Sequence, residues 1–164
     1  MLLRSALALL LSSSVAAQAV PVHATRAPLG AKPAATEIAP DHARNVVELK
    51  FQHGSDVRLV AAADRPGAFR LVGPPPEVEA VDLYLQSLGA APKRIFLQTD
   101  EWLVAWRDSG ERRSGRALHD LTQFYQVTLP SGVEVGEVCD VLNSFAVIEL
   151  AYPLGSLSDP TVTA

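Results

Sequence analysis

The sequence predicts an α+β fold, an antiparallel sheet carrying two main helices, and three observations lead there. Short segments alternate apolar and polar residues with the period of a strand. Two longer segments place apolar residues at i, i+3, i+4 and i+7, the stripe of a helix packed on one side. Pro and Gly punctuate the boundaries between them.

The first strand is expected within residues 46–51, where Val47, Leu49 and Phe51 alternate with Glu48 and Lys50. Gly54 then turns the chain, and 56–60 with 69–72 form a hairpin whose long tip holds Pro66 and Gly67. Pro74, Pro75 and Pro76 stop any strand and pre-set a helix start, with Glu77 and Glu79 complementing the helix dipole. The helix they open runs to Leu88, with Val78, Val81, Leu85 and Leu88 on one stripe, Tyr84 at its border and Gly89 as a left-handed stop.

A second strand follows over 93–98. Thr99 caps a short helix with Asp100 and Glu101 in its first turn; Trp102, Leu103 and Trp106 form its apolar face, which at helical spacing suits a core, and Gly110 ends it. A basic loop, 112–116, leads to the third strand over 124–129, which turns Tyr125, Val127 and Leu129 to one side. Pro130, Ser131 and Gly132 make a turn, and the second main helix spans 134–145 with Val135, Val138, Cys139 and Leu142 on its stripe. The last strand covers 147–152. The order β, helix, β, then β, helix, β is that of a ferredoxin-like split βαβ sandwich, here with an inserted hairpin and a short extra helix.

Residues 1–19 are expected to be a signal peptide: Arg4 precedes a Leu- and Ala-rich stretch, and Ala17-Gln18-Ala19 offers small residues for cleavage. The apolar run is too short for a membrane span and is broken by Ser12, Ser13 and Ser14. Its loss removes one base, leaving 13 basic against 18 acidic residues and a net charge of −5. That balance disfavours nucleic acid, whose phosphates need clustered Lys and Arg. The product is expected to be secreted or periplasmic, with no membrane association after cleavage. Its one cysteine leaves core packing and hydrogen bonds to hold the fold. Residues 20–44, with Pro21, Pro28, Pro33 and Pro40 and no apolar period, read as a flexible lead-in; 45–153 form the domain and 154–164 a tail.

No residue set points to catalysis, a cofactor or a metal. His53, Ser55 and Asp56 are the residue types of a hydrolase triad, but neighbours in one turn cannot converge on a proton path. His23, His42, His53 and His119 are scattered. Cys139 lies on an apolar stripe where a small hydrophobe is expected. The arginines at 107, 112, 113 and 116 make the one basic patch, a solvated loop or a docking surface for an acidic partner.

The end of the domain resembles the propeptide and peptidase-inhibitor domains of secreted subtilisin-like serine proteases. Strand 124–130, helix 135–145 and the closing Ile148-Glu149-Leu150-Ala151-Tyr152-Pro153 stand in that family's order, so the likeness is strongest over 124–153. It implies a non-catalytic domain, monomeric when free, that presents its sheet to a serine protease as inhibitor or folding template. The resemblance further implies that Tyr152, Pro153, Leu154, Gly155, Ser156 and Leu157 lie extended along the substrate cleft, where main-chain pairing gives affinity. The other reading is an extracellular adhesion or interaction module using the sheet edge or the arginine patch.

Overall fold

In the computed structural model, which describes residues 31–155, the alternating segment is strand β1 (His42–Phe51). The expected signal peptide and the residues from Ser156 onward lie outside the described residues. Val47, Leu49 and Phe51 are fully buried, as their period requires. Strands β2 (Arg58–Ala61) and β3 (Phe69–Val72) form the hairpin, and helix α1 (Glu77–Ser87) follows the proline run. Gly89, at φ 68°, ends α1, and its N–H and that of Ala90 reach back to Gln86 and Leu85 carbonyls. Then come β4 (Ala91–Arg94), α2 (Asp100–Ser114), a 3-10 turn (Leu121–Gln123), β5 (Phe124–Thr128), α3 (Val135–Ser144) and β6 (Ile148–Gly155).

The fold is mixed α+β. Four strands make one antiparallel sheet in the order β4-β5-β1-β6, and β2 with β3 make a second, two-stranded one. Register is set by the buried face: Leu49 pairs with Tyr125 and Ala151, and Val47 with Val127 and Pro153, so one face of the sheet is continuous apolar surface. Against it pack α1, through Val78, Val81 and Leu85, and α3, through Val135, Val138, Cys139 and Leu142. Tyr84 and Phe145 meet between the two helices at 6.5 Å.

Four boundaries differ from expectation, one of them the end of the last strand, which runs on to Gly155 and takes in the first two residues of the expected tail. Helix α2 runs through Gly110 to a left-handed cap at Gly115, so Arg112 and Arg113 are its last turn rather than a loop. Gly110 stays helical because its missing side chain makes room for Leu118: a Cβ there would lie 2.6 Å from Leu118 Cδ1. Strand β4 begins earlier than expected, at Ala91, and ends at Arg94. Finally, the expected lead-in to residue 44 is ordered in its second half. Thr36 N–H donates to Asp140 Oδ1, Lys32 Nζ to the carbonyls of Asn143 and Phe145, and Ile38 packs beside Gly136. The strap passes over Gly136 at van der Waals distance, a fit that lies between distant segments and leaves no local period.

Candidate functional site

Four of the six residues expected to occupy a cleft, Tyr152 to Gly155, belong to β6, and three of them pair with β1: Tyr152 with Glu48, Pro153 with Val47 and, across a register shift, Gly155 with His42. Tyr152 is also held through its hydroxyl, which donates to Glu48 Oε2. Burial, and next the Glu48 carboxylate, push its pKa upward, so it stays a neutral donor through the physiological range. Extending these residues along another protein would strip them from the sheet. Ser156 and Leu157, the rest of the expected segment, lie outside the described residues.

The outward edge of β6 is also restricted. Asn143, on α3, donates from Nδ2 to the Ala151 carbonyl and accepts from the Ala151 N–H, each at 2.8 Å. Two residues on, Pro153 has no N–H to give. A side-chain clamp and a proline on one edge strand are devices that prevent further strand addition. The β6 edge of the sheet is therefore blocked at Ala151 and lacks a donor at Pro153. No periodicity signals this clamp, since Asn143 is one polar residue within an amphipathic helix.

On the sheet face away from α1 and α3, Lys50 and Glu149 form an ion pair, both nearly inaccessible at 2% and 7% exposure. Lys50 Nζ also lies 5.4 Å from the centre of the Phe124 ring, which Phe96 and His119 flank edge-on. The alternation in β1 marked Lys50 as solvent-facing. It is buried because the aromatic cluster covers that corner and a register shift between Lys50 and Phe51 offsets the pairing with β6.

Helix α2 stands apart from this core and buries only Leu103. Charge holds its inner side: Asp100 bridges Arg58 and Arg94, each at 2.5 Å, and Arg107 reaches Asp120 at 3.1 Å. A cleft of about 610 Å³ lies beneath it, lined by Arg58, Asp100, Arg107 and Asp120 of this network and by Asp56 and Asp108, with Glu101 and Ala105 at its rim. Its arginines are committed to carboxylates of the chain, so it is a bracing network. Trp102 and Trp106, expected to cover the core, point outward instead, each 51% exposed and stacked on one another at 6.0 Å with planes 10° apart. Helical spacing showed that they share a face but not which face meets the protein.

The candidate catalytic residues remain separate. Ser55 Oγ lies 2.7 Å from the Gln52 carbonyl and 2.9 Å from Gln123 Oε1, while Asp56 pairs with Arg58 and His53 is exposed. Cys139 is fully enclosed, and burial pushes its thiol pKa up to about 12, far from the thiolate a nucleophile needs. His42 Nδ1 accepts the Ala39 N–H. Among the described residues no cluster of His, Cys, Asp and Glu suits a metal ion, and no helix is long and apolar enough to cross a membrane. The chain matches no family model, no curated protein and no solved structure.

Proposed function

We propose that this chain is an exported, non-catalytic binding domain whose partner is a secreted subtilisin-like serine protease, which it inhibits or helps to fold. The observation that carries the reading is the strand order β4-β5-β1-β6 with α1 and α3 on one face. This order supports the finer assignment of a ferredoxin-like sandwich, the architecture that the resemblance over 124–153 implies. Such a domain leaves one sheet face for a partner and sends the chain out from the end of an edge strand. With Tyr152 to Gly155 committed to β6, the cleft-entering segment is Ser156 onward, and main-chain pairing there would supply the affinity. Residues 1–19 direct export to a secreted or periplasmic location, and the domain works without a cofactor.

The chain recovered after export is expected to slow one or more of a panel of subtilisin-like proteases at micromolar concentration. Truncation after Gly155 should relieve that inhibition while leaving the fold intact. Lack of inhibition across the panel would sink the reading. The exposed tryptophan pair favours the second reading, an extracellular protein-interaction module, in which α2 rather than the chain end meets the partner.

A further inference from the structure

The outer face of α2 has no partner, and its chemistry complements itself. With its inner side occupied by Leu103, by the Asp100 and Arg107 ion pairs and by the Gly110 contact with Leu118, the helix cannot rotate to bury its tryptophans. Trp102, Trp106, Ser109 and Arg113 recur at spacings of three and four, so they form one row. Glu101, Ala105 and Arg112 form the adjoining row, and all three are exposed, the first two where the outer face meets the rim of the cleft beneath α2. Stacking the two indoles hides only part of each, leaving two half-exposed aromatic rings on one face of a 15-residue helix.

Charge selects the occupant. The acidic end of this face is Glu101 and the basic end is Arg112 with Arg113, and none of the three forms an ion pair among the described residues. A second copy of the same helix laid antiparallel brings each Glu101 to the other copy's arginines and opposes the two helix dipoles. A parallel pairing would set like charge on like. The small Ala105 and Ser109 between the ends leave grooves into which the other copy's indoles can lie, and an arginine over an indole face adds a cation–π contact.

We infer that α2 is a self-association surface through which two copies of this chain pair antiparallel about a two-fold axis near Trp106. The contact is one helix wide, at the low end of the roughly 1,200 Å² that stable interfaces bury, so the dimer is weak, with a dissociation constant of about 10–100 µM. It replaces the expectation of a free monomer. The assignment is independent of protease binding, which uses the chain end beyond β6, and the monomer that prevails at about 1 µM would still inhibit.

Sedimentation of the exported chain from about 1 to about 500 µM is the test. A monomer–dimer transition is expected, with tryptophan emission shifting to the blue as the dimer fills. Glu101→Arg alone, or Arg112→Glu with Arg113→Glu, should weaken it at least about tenfold, and the triple charge swap should restore it. These are exposed positions, and unchanged far-ultraviolet circular dichroism in each variant keeps the comparison clean. A chain that stays monomeric at about 500 µM overturns the inference, and so does a dimer that the single-sided reversals leave unweakened or that the swap does not restore.

Discussion

Helices α2 and α3 illustrate two ways of holding a helix on a protein. Helix α3, of 10 residues, buries Val135, Val138, Cys139, Leu142 and Asn143 and pins β6 through Asn143. Helix α2, of 15 residues, buries Leu103 alone and is braced by arginine–carboxylate pairs that remain partly exposed to water. Apolar burial contributes on the order of 25 cal/mol per Å², whereas an exposed ion pair contributes about 0–1 kcal/mol and weakens with salt. The longer helix is therefore the less securely held. That leaves it suited to presenting a surface, while the shorter one keeps the sheet in register.

The largest expected effect tests the buried ion pair on the sheet face away from α1 and α3. Glu149→Ala leaves Lys50 buried without its carboxylate, and loss of about 3–5 kcal/mol is expected in urea unfolding. Replacing both, with Lys50→Met and Glu149→Leu, should recover most of that stability, because no charge then remains to be buried. A single variant that costs under about 1 kcal/mol would mean that water reaches this corner and that the contrast with α2 is overdrawn.

An intermediate effect comes from Cys139. Its folded pKa, about 12, stands above its ordinary 9.0, so the folded state holds the proton more tightly than the unfolded chain. The stabilisation is present in full below pH 9 and is lost as pH rises towards 12, a decline on the order of 2–4 kcal/mol. Tyr125, raised from 10.0 to about 12, largely by burial, adds to the decline above pH 10. Cys139→Ala should remove the earlier onset from the stability–pH curve. A wild-type curve that is flat from pH 9 to 10 would contradict the enclosed thiol.

The smallest effect belongs to the outer helix. Trp102→Ala and Trp106→Ala should each change monomer stability by about 0.5 kcal/mol or less, since half of each ring is already in water. Thermal unfolding at low protein concentration checks this. A loss above about 2 kcal/mol would place the rings among the groups that hold α2 to the domain.

Wherever one apolar face settles against one core, the sequence was sufficient. The alternation of Val47, Leu49 and Phe51, the stripes of α1 and α3, and the stops at Pro76 and Gly89 all follow from backbone geometry and local steric preference, so they are legible without a neighbour. The candidate site was less legible. The family likeness drew attention to the chain end, but pairing with β1 and the Tyr152 contact to Glu48 claim most of that segment for the sheet.

What the tertiary structure alone decided are the contacts between segments far apart in the chain. Lys50 is buried because Phe124 and Glu149 arrive from elsewhere, and Asn143 closes an edge that exists only once β6 is docked. Trp102 and Trp106 face outward because Leu103 and the bracing arginines claimed the inner side of their helix. Periodicity specifies that residues share a face. Which face is covered, and by what, depends on the total free energy of competing arrangements, and that is set by long-range packing.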